Sequence, residues 1–125
     1  MKVYFCATTS MAEQLNAYAL ALEARGHTIT SLWHRMEHSK VLELSDPTIE
    51  YRALMDLDDL VHADTVVAFT GSETNHGGRH FELGYAKAWG KRIYLIGEIE
   101  NIFHTLVHKQ FPDWATFLEW VERHP

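Results

Sequence analysis

The feature that most constrains the fold is an alternation of short apolar runs with longer stretches of helical periodicity. The apolar runs predict strands at Lys2–Ala7, His27–Leu32, Thr65–Phe69 and Arg92–Ile96. Because a helix-length segment separates most runs, the strands are expected to lie parallel and to be joined by crossover helices. At 125 residues the chain has the size of one compact domain, so we expect a single domain over residues 1–125.

The helical stretches carry recognisable start and stop signals. Ser10 and Glu13 match a capping box for the first helix, and Asp46-Pro47 predicts the start of a second helix that runs to about His62. The apolar stripe of this second helix is predicted from Leu54, Leu57, Leu60 and Val61. Together with the strands, these helices predict an α/β fold of the small flavodoxin-like doubly wound type, with a central parallel five-stranded sheet flanked by helices.

Two further helices are predicted in the second half of the chain. One runs from about Gly78 to Trp89 and stops at Gly90, and the last begins with Asp113 as its cap. Apolar residues of the last helix are expected to point inward, namely Trp114, Phe117, Leu118 and Val121.

Composition excludes several classes of protein. A formal net charge of -6 argues against a broad surface for nucleic acid polymers. No apolar run is long enough to be a signal peptide or to span a membrane, which leads us to expect a cytoplasmic protein. The single cysteine, Cys6, has no partner for an internal disulfide and is expected to be a small buried residue at a strand end.

Nine histidines raise the question of a metal site. The pairs His34/His38 and His76/His80 have helical spacing, but neither pair has a clear third ligand. We therefore predict no metal site.

The loop after the third strand lies where doubly wound folds bind ligands, beyond the carboxyl ends of the strands. It contains Ser72 and His76 and leads through Gly77-Gly78 into a helix. Backbone N–H groups at a helix start favour anionic groups, and glycines allow a ligand to approach the backbone closely. A tight turn without a ligand is the alternative.

Glu82 follows this loop near the start of the helix. The helix dipole favours an ionised carboxylate there by about 0.3–1 kcal/mol, which suits a nucleophile rather than an acid. A first-turn glutamate without a catalytic role has the same signature, so the residue pattern alone leaves both interpretations open.

Four segments spread over most of the chain carry a family resemblance. They are Val3-Tyr4-Phe5, the segment from Asp56 to Asp64, the segment from Gly78 to Ala86, and Asn101-Ile102-Phe103. In these segments the chain resembles the nucleoside 2-deoxyribosyltransferase family and its nucleotide N-glycosidase relatives. The segment from Gly78 to Ala86, which contains Glu82-Leu83-Gly84-Tyr85, is the most specific of the four.

The resemblance implies roles for individual residues. In that family the glutamate before Leu-Gly-Tyr-Ala attacks the anomeric carbon of the sugar, and Glu82 matches it. Asp56 matches an aspartate that helps to handle the base and its proton, and Tyr4 matches a first-strand tyrosine that assists in the site. Asn101 corresponds to an asparagine that a neighbouring subunit contributes, which implies a homo-oligomer with shared sites.

The chemistry implied by the resemblance is that of a retaining glycosidase. Glu82 displaces the base to form a glycosyl-enzyme, and Asp56 assists protonation of the base. A second base then gives exchange, whereas water gives hydrolysis. The partners are a nucleoside or nucleotide and a free base, as in nucleotide metabolism and salvage, and no metal or organic cofactor is required.

One departure from the family pattern leaves alternatives open. His76 stands where transferases of the family often carry an aspartate. Ser72 and Arg79 are candidates for contact with a 5'-phosphate, as in a nucleoside 5'-monophosphate hydrolase, although Arg79 is equally compatible with a surface position. Two further alternatives remain open. They are a non-catalytic nucleotide-binding or sensing domain and a glycohydrolase for a larger ligand such as NAD. The predicted substrate-binding residues are Tyr4, Ser72, His76, Gly77, Gly78, Arg79 and Asn101.

Apolar residues near the end of the third helix and after the fourth strand could supply a buried interface between subunits, which also favours oligomerisation. They are Trp89, Ile99, Ile102 and Phe103. Completion of the monomer core is the alternative explanation for these side chains.

Overall fold

A computed structural model describes residues 1–36, 45, 47–71 and 77–125. Its centre is a five-stranded sheet in which every strand is parallel to its neighbours, in the order β2-β1-β3-β4-β5. The strands are β1 (Lys2–Cys6), β2 (Thr28–Ile29), β3 (Thr65–Phe69), β4 (Arg92–Ile96) and β5 (Lys109–Phe111). This strand order is that of the flavodoxin-like doubly wound fold, so the predicted fold class is confirmed.

Four α-helices cover the two faces of the sheet. They are α1 (Ala12–Glu23), α2 (Ile49–Val61), α3 (Gly78–Ala88) and α4 (Trp114–Arg123), and short 3-10 helices lie at Thr9–Met11, Trp33–Arg35 and Ile102–Leu106. Helices α1 and α4 contribute to one buried apolar cluster, and α2 and α3 contribute to the other. In the part of the chain that the structure describes, no helix is long and apolar enough to cross a membrane.

Alternation along β1 decides which side chains reach each helical layer. Val3 and Phe5 belong to the cluster with α1 and α4, whereas Tyr4 and Cys6 belong to the cluster with α2 and α3. Successive side chains of a strand point to opposite faces of the sheet. Tyr4 is thereby directed toward the two helices that carry Asp56 and Glu82.

Strands β3 and β4 have the predicted bounds, and Asp113 caps α4 by accepting a hydrogen bond from the Thr116 N–H at 2.8 Å. Of the predicted inward residues of α4, Phe117 and Val121 are buried, and Trp114 and Leu118 are partly buried.

Other predictions about the elements were wrong. The capping box does not form among the described residues: a 3-10 turn precedes α1, and the Ser10 hydroxyl bonds to that of Thr8 instead. Strand β2 is two residues long. After Ile29 the Thr30 N–H still bonds to the Val3 carbonyl at 2.8 Å, but the Phe5 N–H bonds to the side chain of Ser31 rather than to a backbone carbonyl, so the regular ladder ends there. Leu54 is exposed, although Leu60 on the same helix is fully buried. Helix α2 begins at Ile49 rather than at Pro47, and Asp46 lies outside the described residues.

Candidate active site

Tyr4 and Glu82 form the centre of the site. The Tyr4 hydroxyl donates a short hydrogen bond to the Glu82 carboxylate, which joins positions 78 residues apart in the chain. Tyr4 is fully buried and Glu82 is partly buried. Asp56, on α2, is close enough for its charge to raise the pKa of both groups. Three of the predicted residues, Tyr4, Asp56 and Glu82, are therefore brought together.

Burial raises the pKa of Glu82 to about 8, and the negative charge of Asp56 adds to this effect. The hydrogen bond from Tyr4 acts in the opposite direction because it stabilises the carboxylate. The expectation that the helix start favours an ionised Glu82 was therefore wrong for the free protein. Glu82 is the fifth residue of α3, and the influence of the helix dipole falls off within the first turn.

Asp56 also has a raised pKa, at about 6. Burial is the main cause, the neighbouring carboxylate of Asp59 adds to it, and Arg52 opposes it. The sequence shows Asp59 as an acidic neighbour of Asp56 without a role of its own, and its spacing of three residues places both on one side of a helix. At neutral pH the free protein thus holds Asp56 mainly ionised and Glu82 mainly protonated, the reverse of the order expected from the sequence.

Tyr4 remains a hydroxyl donor throughout this range. Burial raises the pKa of Tyr4 well above its usual value, and the carboxylates of Glu82 and Asp56 raise it further. The chemistry available at this point is therefore that of two carboxyl groups and one neutral phenol.

The backbone entrance to α3 has the open character predicted for a ligand site. Gly77 has a φ of 84°, a left-handed conformation that glycine adopts without strain. Within the described structure, a Cβ added at Gly77 or Gly78 would meet no atom within 4 Å. Ser72 and His76 lie outside the described residues, so their predicted contacts with substrate stay predictions.

Arg79 is buried, so the alternative of a surface position was wrong. One terminal nitrogen, Nη1, donates to the Phe69 carbonyl at 3.1 Å, and the other, Nη2, lies 3.6 Å from a Glu100 carboxylate oxygen. The backbone carbonyl of Arg79 accepts a hydrogen bond from the buried Cys6 thiol at 3.2 Å. Both terminal nitrogens therefore already have protein partners.

Asn101 is used locally as a helix cap. Its side-chain oxygen accepts hydrogen bonds from the N–H groups of Phe103 at 2.9 Å and His104 at 3.2 Å, and its side-chain nitrogen lies 3.2 Å from the His104 ring. The predicted contact of Asn101 with a sugar therefore remains a prediction.

A cavity of about 590 Å³ lies between α3 and the 3-10 helix at Ile102–Leu106. Its lining includes Asn101 together with His80, Gly84 and Lys87 of α3. With about 100° of rotation per residue, these three α3 residues lie on the side of the helix opposite Glu82. Asn101 and Glu82 of one chain are thus on different sides of α3.

The described residues contain no group of three or more side chains arranged to hold a metal ion. His34 instead takes part in a buried hydrogen-bond network: its Nε2 lies 2.8 Å from the Ser31 hydroxyl and its Nδ1 lies 2.8 Å from the Asn16 side-chain oxygen. His38, which has helical spacing from His34 in the sequence, falls in a stretch that the structure does not describe.

No protein-family profile matches the sequence. No curated protein matches it either. Solved structures, in contrast, are similar to this chain. The CMP N-glycosidase BcmB of Clostridium botulinum is similar over 100% of both chains, with 19% identity and a TM-score of 0.68. A 2-deoxyribosyltransferase of Bacillus psychrosaccharolyticus is similar over 94% of this chain and 90% of its own, with 23% identity and a TM-score of 0.72.

The chain has the fold of these two enzymes. The similarity covers nearly the whole of each of them, so the comparison concerns a complete fold rather than one βα unit.

Proposed function

We propose that the protein is an enzyme of the nucleoside 2-deoxyribosyltransferase and nucleotide N-glycosidase type. In this proposal it cleaves or exchanges the N-glycosidic bond of 2'-deoxynucleosides through a glycosyl-enzyme on Glu82. The observation that carries the proposal is the bond from the Tyr4 hydroxyl to the Glu82 carboxylate, with Asp56 beside both. The fold shared with an N-glycosidase and a 2-deoxyribosyltransferase supports the same conclusion.

The first chemical step uses the two carboxyl groups in different ionisation states. A Glu82 carboxylate oxygen forms a bond to the anomeric carbon, while the bond from that carbon to the base breaks and its electron pair goes to the base nitrogen. Asp56, protonated, gives its proton to the departing base directly or through a water molecule. The products are a glycosyl-enzyme ester on Glu82 and a neutral free base.

The second step releases the sugar. A nitrogen of another base, or a water oxygen, attacks the anomeric carbon, and the electron pair of the ester bond returns to Glu82. Asp56, now ionised, takes the proton that the attacking group loses. A base as the attacking group gives exchange, and water gives hydrolysis.

A nucleoside 5'-monophosphate hydrolase is the second candidate. The observation in its favour is the likeness over the full chain to a protein described as a CMP N-glycosidase. Because both terminal nitrogens of Arg79 have protein partners, the exposed backbone at Gly77 and Gly78 is the better candidate for phosphate contact.

The proposed enzyme is a homo-oligomer that shares its sites between subunits. Several large apolar side chains are exposed on α3 and around the following 3-10 helix, namely Phe81, Trp89, Ile99, Ile102, Phe103 and Leu106. Asn101 lies among these residues and on the side of α3 away from its own Glu82. Covering this surface with a second copy would place Asn101 of one chain in the partner's neighbourhood.

The test is release of free base from a panel of 2'-deoxynucleosides, ribonucleosides and their 5'-monophosphates, measured by mass spectrometry. Wild-type protein should release base and Glu82→Gln should lose at least about 10³-fold in rate, as expected on removal of a nucleophile. Glu98→Gln, which changes an exposed glutamate, is the matched control and should keep full activity.

The alternative functions predict different results for the same substrates. Release confined to 5'-monophosphates would select the nucleotide hydrolase. Calorimetric binding of a nucleotide without any product would indicate a non-catalytic binding domain. Exchange is recognised by a new nucleoside when a second base is present, and a sugar adduct on a peptide containing Glu82 would demonstrate the covalent intermediate.

A further inference from the structure

We propose that Arg79 is a positioning residue, which holds the first turn of α3 so that Glu82 meets Tyr4. The inference rests on the proposed function, because it concerns the placement of the proposed nucleophile. It differs from the sequence-based expectation, in which Arg79 contacts the substrate itself.

Arg79 joins three parts of the sheet's carboxyl edge, two through its side chain and one through its backbone. Its guanidinium bonds to the carbonyl of Phe69, the last residue of β3, and pairs with Glu100 in the segment after β4. Its backbone carbonyl accepts from the thiol of Cys6, the last residue of β1. One residue of α3 is thus connected to the ends of β1 and β3 and to the segment after β4.

The start of α3 depends on such connections. Gly77 precedes the helix and has no side chain with which to cap it, and atoms of the described chain leave open space beside Gly77 and Gly78. Arg79 is the second residue of the helix and is buried, with a side chain only 6% exposed. Arg79 thus connects the first turn of α3 to the sheet from its buried side.

Glu82 follows Arg79 by three residues, which is close to one helical turn. A shift of the first turn therefore moves the Glu82 carboxylate relative to the Tyr4 hydroxyl on β1. The pKa of Glu82 is set by burial, Tyr4 and Asp56, so Arg79 acts on Glu82 through its position. Misplacement of a reacting group by about 1 Å can reduce a rate about 10²-fold.

The contacts that Arg79 already makes weigh against a direct role in binding. The hydrogen bond to Phe69 and the ion pair with Glu100 engage both terminal nitrogens of Arg79. These are the atoms with which an arginine forms two parallel hydrogen bonds to a phosphate. The remaining nitrogen, Nε, is buried and lacks a hydrogen-bond partner among the described residues.

The experiment compares Arg79→Met, Arg79→Lys and Glu100→Gln with wild type, and uses Glu98→Gln as the matched control. Each protein is assayed on the best 2'-deoxynucleoside of the panel and on the 5'-monophosphate of that nucleoside. We expect Arg79→Met to lower kcat about 10²-fold on both substrates with little change in KM. Arg79→Lys should recover part of the loss, and Glu100→Gln should lower kcat by about two- to five-fold, the size expected for one partly exposed ion pair.

The pH profile gives a readout that general loss of stability would not move. Separation of Glu82 from Tyr4 removes a hydrogen bond to the carboxylate and so raises the Glu82 pKa. Because Glu82 has the higher pKa of the two carboxyl groups, the alkaline limb of kcat/KM should move to higher pH in Arg79→Met. Circular dichroism shows whether each variant is folded. If Arg79→Met does not fold, Glu100→Gln is the variant to use, because the Glu100 side chain is partly exposed and its replacement should not prevent folding.

Three results would overturn the inference. An increase in KM confined to the 5'-monophosphate would show that Arg79 binds phosphate. Unchanged kcat and an unchanged pH profile in folded Arg79 variants, or in Glu100→Gln if these do not fold, would show that Arg79 does not position Glu82. If wild-type protein shows no base release that depends on Glu82, the proposed function fails, and this inference fails with it.

Discussion

At the scale of single residues, the site depends on two carboxyl groups that are held in different surroundings. Glu82 has a pKa of about 8 and Asp56 a pKa of about 6, both raised mainly by burial. The proposed first step needs Glu82 ionised and Asp56 protonated. If the two groups titrate independently, about one molecule in a hundred has this combination at pH 7.

This pairing predicts a bell-shaped pH profile for the kcat/KM of base release. Between about pH 6 and pH 8 activity should stay level, because each gain in ionised Glu82 is offset by a loss of protonated Asp56. Below about pH 6 it should fall because Asp56 is already protonated while ionised Glu82 is still lost, and above about pH 8 it should fall because Glu82 is already ionised while protonated Asp56 is still lost. Steady-state assays from pH 4.5 to 9.5 measure the two limbs. A profile that stays level above pH 8 would contradict the assignment of Asp56 as the acid.

Replacement of Tyr4 tests the other influence on Glu82. Tyr4→Phe removes a hydrogen bond that lowers the Glu82 pKa. Because Glu82 has the higher pKa of the two carboxyl groups, the alkaline limb of kcat/KM should move to higher pH, and the level region between the two limbs should fall. Activity at pH 7 should fall by about ten-fold or more, as expected for loss of a hydrogen bond to a charged group. Tyr94→Phe, on β4 in the opposite apolar cluster, is the control and should leave the profile unchanged.

Glu82 should also lower the stability of the free protein at high pH. Its folded pKa of about 8 exceeds the ordinary value of 4.5, so burial of the carboxylate opposes folding above pH 4.5, and the effect is complete above pH 8. Glu82→Gln should therefore raise the free energy of unfolding relative to wild type at pH 8, on the order of 1 kcal/mol for each unit between the two pKa values.

This gain should shrink as the pH falls to 4.5, where both forms of the side chain are uncharged. Urea unfolding at several pH values measures it. A gain that is the same at pH 8 and pH 4.5 would show that the Glu82 pKa is not raised by folding.

At the scale of elements, the segment after β2 holds the strand that carries Tyr4. The Phe5 N–H donates to the Ser31 hydroxyl at 3.1 Å, and the Trp33 ring N–H donates to the Phe5 carbonyl at 2.9 Å. His34 joins Ser31 to Asn16 of α1. Burial lowers the pKa of His34 to about 4, so its ring is neutral at neutral pH and its Nε2 accepts a hydrogen bond from the Ser31 hydroxyl.

Removal of the Ser31 hydroxyl should therefore destabilise the protein. Ser31→Ala leaves the Phe5 N–H and the His34 Nε2 without this partner in a buried place, which costs about 1–3 kcal/mol. Thermal or urea unfolding at pH 7 measures the change. Ser10→Ala, at an exposed serine before α1, is the control and should change stability by less than about 0.5 kcal/mol.

At the scale of the whole molecule, the two faces of the sheet differ in what they expose. The α3 side and the neighbouring 3-10 helix expose Phe81, Phe103 and Leu106 around one cavity. Trp89, at the end of α3, and Ile102, at the start of the 3-10 helix, are exposed as well. On the opposite face, Leu20 of α1 is a comparable exposed apolar residue, 67% exposed. A contiguous apolar surface of this kind is typical of a protein interface, whereas a scattered apolar residue is not.

The proposed oligomer predicts different effects for two similar substitutions. Phe103→Ser should weaken self-association by about ten-fold or more, because Phe103 is 68% exposed within the apolar surface. Leu20→Ser, outside that surface, should leave the association constant unchanged. Sedimentation equilibrium measures both, and a wild-type protein that sediments as a monomer at micromolar concentration would contradict the proposal.

The fold could be predicted from the sequence because it depends on local patterns. The apolar runs of β3 and β4 are buried on both faces, so their bounds are visible in the chain itself. A fifth strand was expected, but its position could not be predicted from the sequence. Strand β5 (Lys109–Phe111) has only one buried residue and therefore lacks a recognisable apolar run. The length of β2 and the exposure of Leu54 depend on neighbours that are distant in sequence.

The sequence by itself determined the doubly wound α/β fold and the identity of the candidate residues Tyr4, Asp56 and Glu82. Only the tertiary structure decided that these three meet, because their contact requires β1 to direct Tyr4 toward the layer that contains α2 and α3. It also decided their protonation and the burial of Arg79. Local sequence signals describe the start of α3, but burial and charges distant in sequence are properties of the packed molecule. These two have the larger effect on the pKa values of Glu82 and Asp56.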